Sequence, residues 1–230
     1  WAAADARARG FLIGGTAGRT TLSGEGLQHQ DGSSHLVAST IPNCRAWDPC
    51  FGYELAVIVQ DGARRMLEAQ EDVFYYVTVM NENYAQPPLP EGAAAGILAG
   101  MYLLRGAAAA EVQLLGSGTI LREIIAAADI LAKEHGVAVN VWSVTSWSEL
   151  RRDGLERERA GLERGRTAPS GDSGDPRAAH VHQCLAPTRG PIVAASDYVR
   201  AVADLPRPYI PEGRRYVSLG TDGFGRSDTR

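Results

Sequence analysis

Short apolar runs alternate with stretches of helical periodicity along this chain, and the alternation predicts strands joined by helices. Phe11-Leu12-Ile13, closed by Gly14-Gly15, predicts a short buried strand that ends in a turn. A second short strand is expected around Leu36 to Ile41. Asp48-Pro49 predicts a helix start, because Asp accepts from free amides and Pro suits the first turn. Leu55, Val59, Gly62 and Met66 then fall on one face at helical spacing. Val73 to Met80 is rich in β-branched and aromatic residues and predicts a buried strand. Residues 81–90 end in a cluster of prolines and predict a loop opening into a linker.

A second unit is expected from about Gly92. Val112 to Leu115 reads as a strand, and Gly116-Ser117-Gly118-Thr119 as a tight turn. The following helix places Leu121, Ile124, Ile125, Ala128 and Leu131 on its core side, with Gly136 after its end. Val137 to Val144 predicts another buried strand, and Ser146 to Glu149 has the spacing of a capping box. Further on, Ile192 to Ala195 and Tyr216 to Leu219 read as strands. Asp197 is expected to cap a helix that Pro206 and Pro208 terminate. Residues 151–177 predict a solvated, charged helix running into a mobile Pro/Gly/Ser loop. The fold class is therefore α/β, with parallel or mostly parallel sheets and helical crossovers. Two domains are expected, 1–90 and 91–230.

Composition narrows the setting. The chain has 230 residues, 44% hydrophobic and 22% charged, the profile of a soluble globular protein. A net charge of -4 argues against nucleic acid or an anionic membrane as partner. No apolar run approaches the roughly 20 residues that span a bilayer. Cys44, Cys50 and Cys184 are too few and too odd for a disulfide framework, which points to a reducing cytoplasm. A start at Trp1 and an end just after a glycine-rich run suggest a piece of something longer.

The candidate chemistry concentrates between Gly24 and Pro49. His29 and His35 sit there with Gln28 and Asp31, in a run made flexible by glycine. Histidine in such a loop can give or take a proton near neutral pH, and an adjacent acid can orient it. Loop-stabilising hydrogen bonds are the competing use. Cys44 and Cys50 together with the histidines form a conceivable zinc set, but their spacing is wider than a tight knuckle. Small core residues are the favoured reading. The GSGT turn invites a phosphate, yet it lacks the full glycine pattern, and turn geometry suffices for its glycines. GTDGFGRSDTR carries Asp222, Arg226 and Asp228, where an Arg226–carboxylate pair would stiffen the loop at a domain or subunit contact.

Several runs of the chain also resemble one family in the order expected of it. They are FLIGGTAGRTTLSGEGLQHQDGSSHL, TIPNC, YYVTVMNENY, LLGSG, SVTSWSELRRDG and LGTDGFGRSD. The family is the decarboxylating first component of the pyruvate dehydrogenase complex in its homodimeric bacterial form, within the transketolase superfamily. The resemblance implies that residues 1–90 end a pyrimidine-binding domain and that 91–230 form most of a C-terminal domain. It implies that His29 is the catalytic histidine near the thiazolium, and that Asp31 and His35 line the substrate channel. Thiamine diphosphate and magnesium are implied as cofactors, both bound mainly by parts missing from this chain. Neither the G-D-G…N motif nor the glutamate that activates the aminopyrimidine is present, so the stretch alone is expected to be inactive. The implied partners are pyruvate, the lipoyl domain of the acetyltransferase component and a second subunit of a homodimer. Between Glu156 and Ala186 the text departs from the family. The alternatives are a transketolase-like or other 2-oxo acid decarboxylase, or a non-catalytic subunit-docking module.

Overall fold

A computed structural model describes residues 1–15, 17–22, 29–165 and 179–223 of the chain. Two sheets organise it. The first is parallel, in the order β1 (Phe11–Gly14), β3 (Phe74–Thr78), β2 (Cys44–Trp47). Parallel neighbours require crossovers, and two helices supply them here, α2 (Ser34–Ala38) and α3 (Gly52–Ala63). A short α1 (Ala2–Asp5) precedes the sheet, and a π-helical turn at Arg64–Glu68 extends α3. Residues 81–90 run without helix or strand.

After α4 (Ala93–Ala99), the second sheet runs in the order β4 (Met101–Arg105), β6 (Val139–Val144), β5 (Val112–Gly116), β7 (Ile192–Ala195), β8 (Tyr216–Leu219). Every pairing is parallel except β4 with β6. The long crossovers are α5 (Gly118–His135) and α6 (Trp147–Gly165), with α7 (His180–Leu185) and α8 (Arg200–Ala203) completing the cover. Leu121, Ile124 and Ala128 of α5 are buried as the periodicity predicts, and Gly136 ends the helix at φ +65. The Ser146 hydroxyl accepts the Glu149 N–H at 3.0 Å, so the capping-box spacing marks the true start of α6. Trp47, Ile58, Met66, Tyr75 and Val77 of the first unit share one core with Ala93, Ile97 and Tyr102 of the second. Fully burying such a side chain contributes about 1.5–3 kcal/mol. Among the described residues no helix is long and apolar enough to cross a membrane.

Several expectations need correction. Phe11-Leu12-Ile13 does form a strand, but β1 lies at the sheet edge, and Leu12 and Ile13 are 53% and 55% exposed. Leu36 to Ile41 is no strand. Asp31 accepts the Ser33 and Ser34 amides at 3.0 Å each, which satisfies first-turn donors and starts α2 instead. Asp48-Pro49 does not open a helix either. Helix α3 begins at Gly52, and Glu54 caps it by accepting the Cys50 and Phe51 amides at 2.7 and 3.0 Å. Its buried face is Glu54, Ile58 and Gly62, so Val59 lies on the outer side. Asp197 caps nothing in α8, where Asp222 accepts the Arg200 N–H at 2.9 Å. The Pro/Gly/Ser loop at 167–176 and Arg226, with whichever acid it pairs, lie outside the described residues.

Candidate functional site

In parallel sheets the groups just beyond the carboxyl ends of the strands are the ones free to build a site. Here those ends come together from both sheets. Asp48 follows β2 and Thr78 ends β3, while Ser117 follows β5, Thr145 follows β6 and Tyr198 stands shortly after β7. All five are buried. Asp48 is their hub. Its Oδ1 accepts the Thr78 hydroxyl at 2.6 Å and lies 3.4 Å from the Tyr198 hydroxyl. Its Oδ2 accepts the Ser117 hydroxyl at 2.6 Å, and Ser117 in turn accepts the Trp147 indole N–H at 3.0 Å. The backbone joins in, with the Asp48 N–H donating to Thr145 at 2.8 Å and its carbonyl accepting from Gly118 at 2.9 Å.

His35 stands on the first-sheet side of this hub. Helix α2 carries it inward, only 4% exposed, with Nε2 2.9 Å from the Thr78 hydroxyl. The Tyr198 ring meets it edge-on at 4.6 Å, and Tyr76 lies 5.3 Å away. Burial pushes its pKa below the usual 6.5, against the opposing pull of Asp48 and Asp31, so the imidazole is neutral at physiological pH. Asp31 directs its carboxylate at the start of α2 and also receives the Ser34 hydroxyl. It therefore acts on His35 through the helix that carries it. His29, by contrast, is exposed, and its carbonyl accepts the Asp31 N–H at 3.0 Å. The two histidines thus occupy different environments, one facing solvent and one enclosed.

Residues 18–20 are held down from the second sheet. Asp197, after β7, accepts the Arg19 and Thr20 amides at 2.7 and 2.9 Å and the Thr20 hydroxyl at 2.5 Å. Gly18 is required at this contact, because a Cβ there would lie 2.4 Å from the Asp197 carboxylate. The Arg19 guanidinium donates to the carbonyls of Thr221 and Gly223, which gives the described part of the C-terminal glycine-rich loop a role. Val199 donates to the Gly32 carbonyl at 2.8 Å. A small cavity remains where the two units meet, lined by Ala17, Asp48, Met80, Thr119, Asp197 and Tyr198.

Asp48, Thr78, Ser117 and Asp197 are the site residues that sequence motifs do not mark. The available signal was position, since each ends or closely follows a strand. The GSGT turn is filled by the protein itself, as a Cβ on Gly118 would lie 2.6 Å from an Asp48 oxygen. Cys44 packs with Ala38, Ala46 and Phe74, and Cys50 packs in a separate cluster with Phe51 and Leu121. Burial raises the Cys44 thiol to about 11, as befits a core residue. Among the described residues no three of His, Cys, Asp and Glu gather as a metal-binding group. The buried carboxylates of Asp48, Glu54 and Asp197 are each already occupied by donors of the chain.

Comparison with known proteins bears on this geometry. Residues 1–87 match the pyruvate dehydrogenase E1 component middle domain, and residues 100–230 match the transketolase-like C-terminal domain. The whole chain aligns at 57% identity with 26% of the pyruvate dehydrogenase E1 component of Pseudomonas aeruginosa. It aligns at 51% identity with 25% of the corresponding Escherichia coli protein. The chain thus spans about a quarter of the length of these relatives. Among solved structures, a transketolase from Campylobacter jejuni superimposes on 95% of the chain and 28% of its own length, with a TM-score of 0.64 at 17% identity. That likeness is one of fold.

Proposed function

We propose that this chain, whose residues 100–230 belong to the transketolase-like C-terminal domain family and whose residues 1–87 match a pyruvate dehydrogenase E1 middle domain, forms the substrate-facing part of an enzyme that decarboxylates pyruvate. In this reading the acetyl unit passes to a lipoyl group of the acetyltransferase component. The protein works in the cytoplasm as a homodimer, and its two domains divide near residue 90, at the end of the stretch 81–90 that lacks helix and strand.

The resemblance implies thiamine diphosphate and magnesium, and the described residues offer no site for the metal. They offer no metal-ligating cluster, and their buried carboxylates are saturated by the chain's own N–H and O–H groups. We therefore assign both groups mainly to segments outside this chain. What this chain supplies is His29 as an exposed proton donor or acceptor, and His35 as an enclosed neutral imidazole. Asp31 acts as a positioning residue by starting the helix that carries His35.

The observation that carries the reading is the contrast between the two histidines, His29 exposed and His35 enclosed beside Thr78 and Tyr198. The experiment is His29→Ala in the intact protein. Pyruvate-dependent reductive acetylation of lipoyl domain is expected to fall about 10²- to 10⁴-fold, the usual contribution of a general acid–base group. Cofactor binding and thermal stability should be unchanged, because the side chain is exposed. Unchanged turnover would remove His29 from the chemistry.

A further inference from the structure

We propose that Asp48 and Thr78 form a relay that fixes His35 as its Nε2–H tautomer, and that Ser117 of the second sheet holds this relay in place. The argument is one of counting protons. A threonine hydroxyl has one hydrogen, and besides the Tyr198 hydroxyl three groups lie within its reach. They are Asp48 Oδ1 at 2.6 Å, His35 Nε2 at 2.9 Å and the Trp47 carbonyl at 3.2 Å. The short contact to a carboxylate takes the hydrogen, since charge-assisted bonds are the shorter and stronger ones. An Asp48 oxygen facing a hydroxyl lone pair at that distance, in a buried site, would be strongly unfavourable. The Thr78 oxygen therefore turns a lone pair to His35, and Nε2 must bring the hydrogen. Nδ1 is left without a hydrogen, as an acceptor.

The relay does not stop at the first sheet. Asp48 is held from the second sheet by the Ser117 hydroxyl at 2.6 Å, by Gly118 at 2.9 Å and by Thr145 at 2.8 Å. Ser117 is itself oriented by the Trp147 indole at 3.0 Å. The tautomer of a histidine on α2 is thus decided by how the two units dock. Asp48 and Thr78 act through His35, so both are positioning residues. Their catalytic relevance rests on the reading of His35 as a site residue, whereas the tautomer itself does not.

The test is nitrogen NMR of the intact protein carrying ¹⁵N-histidine, with the His35 signals identified by their loss in His35→Gln. The native protein should show a protonated Nε2 and a bare Nδ1. Thr78→Val should replace that single form with a tautomer mixture, while Thr78→Ser keeps the hydroxyl and should restore it. Asp48→Asn lets the amide donate to Thr78, which frees the hydroxyl to donate to Nε2, so the tautomer should invert. Ser117→Ala should loosen the preference without abolishing it. A native Nδ1–H form, or an unchanged tautomer in Thr78→Val, overturns the proposal. Should Thr78→Val or Asp48→Asn fail to fold, the native spectrum and the Ser117→Ala spectrum decide it. Turnover of the same variants separates the two readings. A changed tautomer with unchanged turnover upholds the relay and removes His35 from catalysis.

Discussion

Glu54 on the first unit's helix α3 accepts the Ser143 hydroxyl of the second sheet at 2.5 Å. The same carboxylate receives the Tyr102 hydroxyl at 2.7 Å and the Cys50 and Phe51 amides at 2.7 and 3.0 Å. One fully buried acid therefore caps a helix of the first unit and ties it to the second sheet. Removing it by Glu54→Ala strands four donors in the interior, and a loss of about 3–5 kcal/mol is expected in urea unfolding. Glu54→Gln presents an amide to some of those donors and should cost about 1–3 kcal/mol. A loss below about 1 kcal/mol for the alanine variant would show that water replaces the carboxylate.

The buried His35 sets a pH dependence of stability. Its folded pKa lies below the ordinary 6.5, so the unfolded chain binds a proton first as pH falls. The stability it contributes is complete above about pH 6.5 and is lost as pH drops toward the folded value. His35→Gln should flatten the stability profile between about pH 7 and 5, by up to about 1.4 kcal/mol per pH unit, the value for one proton. Parallel profiles for the two proteins would contradict the burial argument.

Asp197 pins residues 18–20. Asp197→Ala leaves the Arg19 and Thr20 amides without their acceptor. Hydrogen exchange at residues 17–22 is expected to rise by about tenfold for each ~1.4 kcal/mol of lost local stability. The core strands β3 and β5 should stay protected. Equal loss of protection everywhere would mean that Asp197 supports the whole fold rather than this segment.

Gly154 lies within α6, where alanine is ordinarily favoured by about 1 kcal/mol. In this protein a Cβ at Gly154 would lie 2.3–2.4 Å from ring atoms of Tyr209. Gly154→Ala should therefore destabilise by about 1–3 kcal/mol, as overpacked cores do. Gly154→Ala with Tyr209→Leu should recover part of the loss. A stabilised single variant would show that Tyr209 moves freely.

Much of the second sheet is legible from the residues alone. Leu121, Ile124 and Ala128 repeat at helical spacing before Gly136, and Ile192–Ala195 and Tyr216–Leu219 stand out as isolated apolar runs. Helix α4 and strand β4 are less visible, because AAAGILA and MYLLR merge into one apolar stretch without a turn signal except Gly100. The candidate histidines are equally readable as a pair, but their division into one exposed and one buried is not.

What the sequence by itself determines is local, namely where the periodic faces lie, where glycine must end a helix, and which runs are β-branched enough to be strands. The family resemblance adds an order of motifs. Tertiary structure alone decides what the polar residues do. Asp48 resembles a helix cap, yet it serves Thr78 and Ser117, because the carboxyl ends of both sheets meet around it. Asp197 likewise resembles a cap, yet its partners lie at Arg19 and Thr20, far away in the chain. A short acidic side chain satisfies whichever donors the fold buries beside it. Those donors are chosen by the packing of distant apolar faces, which no local pattern encodes.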